Sequence, residues 1–298
     1  MKAQLLFSHK LKPLGWLLAL PGFVLGYLSV NYNYTIPGFG MQLRSKAAVF
    51  LPRYENFTNE LALMLVVVGL ILVAFSRQKR EDELTAKIRL NALYWSILIN
   101  YACYVLLFIT AWINTALNNS VLQAIINSMA DGLSFLVYNL FTPLVIFIAC
   151  FYYQIYKSRD EYEIKPVRFL PNKPYRIIGV LATAGMLAAI VMLQVTINND
   201  TGADLLYILP AAMLIWVYSK EKQEDEYISS IRLNAMQIAV YVNYIILLLA
   251  NVFVYGPAFI YILLFNLATI PAIFLLVFNY RLYKIRQGGK NHLSLGLL

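Results

Sequence analysis

Eight apolar runs dominate the chain, at 13–30, 61–75, 90–113, 133–156, 177–197, 205–218, 233–255 and 257–282. Most are long enough, or nearly so, to cross roughly 30 Å of hydrocarbon. In lipid no water satisfies a bare backbone, so such runs must be helical. The rest of the sequence agrees: 60% of the 298 residues are apolar and 13% are charged. A soluble domain carries about 25% charged residues. The expectation is an all-α membrane protein with about eight transmembrane helices. Runs two and six are the shortest, and Gly69 and Pro210 interrupt them. Lys2, Lys10 and Lys12 precede the first run, as in a secretory signal. No small-x-small cleavage site follows, so the run reads as a retained span.

Lysine and arginine set the orientation. With a cytoplasmic N-terminus, 21 of the 24 basic residues fall in inner segments, and Arg44, Lys46 and Arg53 fall outside. Inner loops rich in Lys and Arg are the positive-inside signature. An even number of spans then places the C-terminus in the cytoplasm too. Basic loops against anionic head groups at the inner face of the bilayer account for the net charge of +9. No nucleic acid is required as a partner.

Part of the chain occurs twice. "EDELTAKIRLNALYWSILINY" at 81–101 returns as "EDEYISSIRLNAMQIAVYVNY" at 224–244. Over 76–101 and 219–244, 12 of 26 positions are identical, at an offset of 143. "YNLFTPLVIFIACFYYQIYK" at 138–157 matches "FNLATIPAIFLLVFNYRLYK" at 265–284 in nine of 20 positions, at an offset of 127. A weaker match pairs Lys12 and Gly15 with Arg176 and Gly179, at an offset of 164. Similarity on this scale predicts two copies of one unit. Each copy has four spans, so both enter the membrane in the same direction, as parallel repeats. The first repeat is 1–165 and carries long outer loops at 31–60 and 114–132. The second is 166–298 and has short outer loops. The shrinking offset locates the extra residues in those two loops, so a ligand or partner on the outside is expected to meet the first half.

Two sets of residues are candidates for function. The first is the acidic motif: Glu81, Asp82, Glu83 and Arg89, repeated as Glu224, Asp225, Glu226 and Arg232. The aspartate and arginine of each copy are seven apart, two turns along one helix face. One reading is a well-capped inner helix, with acids at the positive end of its dipole and the arginine snorkelling to phosphate at the membrane edge. The other is a cytoplasmic vestibule or docking site for a protein partner. The second set is polar: Asn100 and Asn243 about 16 Å past the arginines, Asn139 with Thr142, and Asn266 with Thr269. These either tie helices together or line an intramembrane cavity, to which the interrupted runs two and six would also point.

The chemistry that is missing narrows the function classes. No Asp, Glu, Lys, Arg or His falls in the core of a predicted span, where proton relays and ion-coupled carriers usually need one. His9 and His292 lie in the tails. No metal-ligand spacing appears, and Cys103 and Cys150 read as small apolar filler. There is no phosphate-binding loop or nucleophile elbow, and no cofactor is expected. The duplicated motif, together with "YNLFTPLVIF", resembles a group of bacterial multi-pass inner-membrane proteins of no established activity. The resemblance covers both motif copies and the fourth span. It implies a bacterial inner membrane and carries over no site residue. Ile238 stands where the first copy has Trp95, so the tryptophan is not part of the shared pattern. The expectation is a non-enzymatic membrane bundle of sensory, regulatory or accessory kind. The alternative is a transporter or channel for a neutral or weakly polar solute between the two repeats.

Overall fold

All eight apolar runs carry a helix. The computed structural model describes residues 6–41, 55–79, 82–117, 139–157, 169–196, 201–222, 225–254 and 257–295. Among these, the helices in chain order are α1 (Leu11–Tyr32), α2 (Thr58–Phe75), α3 (Glu83–Leu117), α4 (Thr142–Lys157), α5 (Tyr175–Thr196), α6 (Thr201–Val217), α7 (Glu226–Phe253) and α8 (Pro257–Leu295). Six of them, α1, α2, α3, α5, α7 and α8, are long and apolar enough to cross a membrane. This is the character of a multi-pass membrane protein. α4 has 16 residues and α6 has 17. The expected fourth run starts at 133, but residues 118–138 lie outside the described ones. The described part of that run is helical only from Thr142, after a turn at 139–141.

The helix limits have local causes. α1 ends at Asn33, whose φ of 51° is left-handed, a conformation asparagine tolerates better than most residues. The turn that follows, Ile36–Phe39, has Pro37 second and Gly38 third with φ 75°, the signature of a type II turn. Beyond it, β1 (Gly40–Met41) and β2 (Glu55–Asn56) form a two-residue antiparallel ladder. That ladder and Asn56, whose side-chain amide donates to the Ile36 carbonyl at 2.7 Å, close the base of the loop before α2.

The chain forms two compact units: Met1–Pro166 with Tyr244–Leu264, and Val167–Asn243 with Phe265–Leu298. They do not follow the chain order of the two expected segments, because 244–264 joins the first. In the first unit α1 runs along α2. A Cβ on Gly69 would lie 2.5 Å from the Ala19 backbone nitrogen, so only glycine lets the helices approach this closely. Gly69 therefore does not interrupt a short span. α2 is unbroken, and the glycine serves its packing. α3 and α2 both pack on α4, where Phe75 and Phe147 meet with ring centroids 5.2 Å apart. In the second unit α5 packs on α6 in the same manner: a Cβ on Gly179 would lie 2.5 Å from the Trp216 nitrogen. Leu209, Met213 and Ala268 form a core there with Met186 and Ile190.

The surface is greasy where lipid would lie. Leu17, Leu20, Val24 and Val30 on α1 are all more than half exposed. Tyr153 and Tyr156 near the end of α4, and Tyr280 and Tyr283 on α8, are exposed as well. Tyrosine at such positions suits a membrane–water interface.

Candidate functional site

The matching spacings of the duplicated motif become one piece of geometry, built once in each unit. A helix leaves its last four carbonyls without partners. At the end of α2, Ser76 Oγ donates to the Leu72 carbonyl, Arg89 Nη1 donates to the Ala74 carbonyl at 2.8 Å, and the Phe7 N–H donates to the Phe75 carbonyl at 3.0 Å. At the end of α6, Ser219 Oγ donates to the Trp216 carbonyl at 2.7 Å. Arg232 Nη1 donates to the Val217 carbonyl at 2.7 Å, and the Leu170 N–H donates to the Tyr218 carbonyl at 2.9 Å. In both units the strand-like segment before the first helix makes a parallel bridge to the segment after the second: Phe7 with Ser76, and Leu170 with Ser219.

The arginines are buried, at 2% and 3% exposure. Arg89 lies over the Phe151 ring at 4.5 Å. Arg232 lies over Phe278 at 4.6 Å and over Phe169 at 4.6 Å. A cation at a helix C-terminus meets the negative end of the dipole, and a ring face adds a cation–π attraction. The expectation that these arginines snorkel to phosphate is thus replaced by an inward role. Each sits 15 residues after the carbonyl it caps, and the apolar residues on both sides carry it into the interior rather than to the boundary.

The acids of the motif divide. Asp82 precedes α3 and its carboxylate accepts from the Thr85 N–H at 2.7 Å. Asp225 precedes α7 and accepts from the Ile228 N–H at 2.7 Å. Both are N-caps. The hydrogen bonds from Thr85 hold the Asp82 carboxyl below the usual carboxylate range. A lowered value in the folded state means the cap contributes fully above the unfolded value and is lost as pH falls through the folded one. It is therefore intact at neutral pH. Glu83 is exposed in the first turn of α3. Glu81 and Glu224 lie outside the described residues, and Glu226 opens α7. We expect Asp82→Ala and Asp225→Ala each to cost about 1 kcal/mol. Hydrogen exchange should show faster exchange confined to the first turns of α3 and α7.

The candidate polar residues pair with one another. Asn100 Nδ2 donates to Asn139 Oδ1 at 2.7 Å, and the Thr142 hydroxyl donates to Asn100 Oδ1 at 2.9 Å. α3 is thereby tied to the start of α4. In the second unit the Thr269 hydroxyl donates to Asn243 Oδ1 and lies 3.0 Å from the Asn266 carbonyl, tying α7 to α8. Asn100, Asn139, Asn243 and Asn266 are all buried. Asn100 and Asn139 line neither the cavity that contains Gly26 and Glu60 nor the recess that contains Arg77 and Lys79.

Three features were not anticipated. Glu221, 7% exposed, pairs with Arg176 and lies 3.5 Å from Arg286. In the first unit Lys12 Nζ donates to Gln78 Oε1 at 3.4 Å. The sequence offsets that align Lys12 with Arg176 also align Gln78 with Glu221, so the weak match at Lys12 contained this signal. The second feature is a basic recess formed by Leu6, Ser8, His9, Arg77, Gln78 and Lys79. The third is a larger cavity near Glu60, which no local pattern announced because its walls come from four separate stretches of chain. No family model matches the chain, and no curated protein or solved structure matches it either.

Proposed function

We infer that the chain is an integral protein of a bacterial inner membrane, with eight spans in two like-facing four-helix repeats and both termini cytoplasmic. Its role is sensory, regulatory or accessory rather than enzymatic. The observation that carries this reading is how the intramembrane polar groups are used. Asn100, Asn139 and Asn243 bond to threonine or to each other between separate elements, and the two buried arginines close helix ends. These side chains brace the helices they join. The transporter alternative, which needed the asparagines to line a route for solute, is not favoured by this arrangement. α3 runs unbroken for 35 residues from the acidic motif, about 50 Å at 1.5 Å per residue. One stiff element of that length can carry a change at the outer end to the inner one. The basic recess at Arg77 and Lys79 supports anchoring to anionic head groups.

A regulator of this kind requires a cytoplasmic protein partner. The test separates docking from capping by changing Glu81, Glu83, Glu224 and Glu226 to Gln together, leaving Asp82 and Asp225 in place. Proximity labelling from the C-terminus in cells should lose its protein partner in this variant while the membrane level of the chain is unchanged. An identical labelling pattern would remove the docking role. Saturable solute uptake by liposomes containing the purified chain would restore the transporter reading.

A further inference from the structure

Three glycines of α1 follow the seam with α2. At Gly15 and Gly22 a Cβ would lie 2.8 Å from backbone atoms of α2, the Gly69 oxygen and the Val66 nitrogen. At Gly26, one turn further on, the nearest atom would be the Ala62 Cβ at 3.8 Å. The helices part there, and a cavity of about 600 Å³ opens within the first unit. Its volume lies in the range of small-molecule sites, roughly 300–1,000 Å³.

The walls change character along the cavity. Phe23 and Phe141, edge to face at 5.4 Å, and Leu63 and Val66 make its body apolar. Asn31, Asn59 and Glu60 gather at the end where α1 finishes and α2 begins. From Asn31 down to Gly22 the α1 axis runs about 13 Å. Glu60 is the only carboxylate among the described lining residues. Its backbone carbonyl accepts from Asn251 Nδ2 at 3.0 Å, which fixes the first turn of α2 against α7. An apolar floor in the hydrocarbon, with a carboxylate and two amides at the water boundary, matches one class of molecule. A polar solute would leave the floor unmatched, a plain hydrocarbon would leave the mouth unmatched, and an anionic head would meet Glu60.

We propose that this cavity binds a single-chain amphiphile with a cationic, hydrogen-bond-donating head, of the long-chain amine class. The chain lies against Gly26, Ala62 and Val66, and the ammonium sits at Glu60 between Asn31 and Asn59. The assignment rests on reading α1 and α2 as membrane spans.

The test uses the full chain in nanodiscs of phosphatidylcholine, with photoreactive dodecylamine and the photoreactive fatty acid of equal length. The amine should label α1 and α2 peptides saturably, and the acid at least tenfold less. Glu60→Gln should weaken amine labelling about tenfold, because a charge-assisted bond is lost. Gly26→Leu should abolish it by filling the space. Gly185→Ala, outside the cavity and with no atom within 4 Å of its added methyl, should leave it intact, and thermal unfolding of Gly26→Leu like that of the parent shows that the helix pair still forms. Labelling by the amine that survives Gly26→Leu, or labelling by the acid equal to that by the amine, overturns the assignment. Extraction of the chain from membranes by alkaline washing would instead overturn the span reading. Retention in the membrane without saturable amine labelling sinks the ligand assignment alone.

Discussion

Arg89→Leu should destabilise the chain by about 2–3 kcal/mol. The Ala74 carbonyl loses its donor in a buried place, a cost of roughly 1–3 kcal/mol. The contact with the Phe151 ring adds about 0.5–2 kcal/mol. Relief from burying a charge offsets part of this. Arg89→Lys should fall between, since it keeps the charge near the helix end but loses the planar stacking on Phe151. Arg232→Leu should behave like Arg89→Leu, because Val217 and Phe278 occupy the same roles. Lys284→Ala, at an exposed position, should stay within about 0.5 kcal/mol. Thermal unfolding in one detergent reads all four. An Arg89→Leu variant as stable as Lys284→Ala would show that the capping bond is not structural.

Gly69→Val should be more damaging. The new Cβ would stand 2.5 Å from the Ala19 nitrogen and 2.6 Å from the Gly15 oxygen. Those atoms are backbone and cannot rotate away, so α1 and α2 must separate along their whole seam. Overpacking ordinarily costs about 1–3 kcal/mol, and a backbone clash belongs at or above the top of that range. Gly179→Val should do the same to α5 and α6 through the Trp216 backbone. Gly185→Ala is the control: no atom lies within 4 Å of its added methyl, and alanine favours a helix interior by up to about 1 kcal/mol. The expected order in folded yield is Gly185→Ala at or above the parent, then Gly69→Val and Gly179→Val far below it. Equal yields would mean that the glycine seams do not hold these helix pairs.

The helices were legible because length and hydropathy leave an apolar run in lipid a single choice of backbone. Their partners were not. The repeated "IRLNA" flagged Arg89 and Arg232, and proximity to the inner loops suggested the head groups as their partners. The carbonyls they reach are 15 residues back along the chain, on a different helix, and no spacing rule within one helix predicts that. Asn100 and Asn139 were singled out separately, 39 residues apart. Depth made Asn100 notable and the repeated pairing with a threonine made Asn139 notable, but only the fold shows that they satisfy each other. Gly69 was misread from a one-dimensional view, in which a glycine inside an apolar run looks like a weak point. In three dimensions it is the point of closest approach. The cavity at Glu60 was hidden for the same reason, since Gly26, Ala62, Phe141 and Asn251 share no local pattern.

The central claim is that one four-helix plan is built twice, facing the same way across one bilayer. Single cysteines at Gly38, Lys79, Asp200 and Lys222, in a chain with Cys103 and Cys150 changed to serine, test it most directly. An impermeant maleimide on intact cells should reach positions 38 and 200 and should reach 79 and 222 only after permeabilisation. Labelling that puts 79 and 222 on opposite faces would contradict the claim.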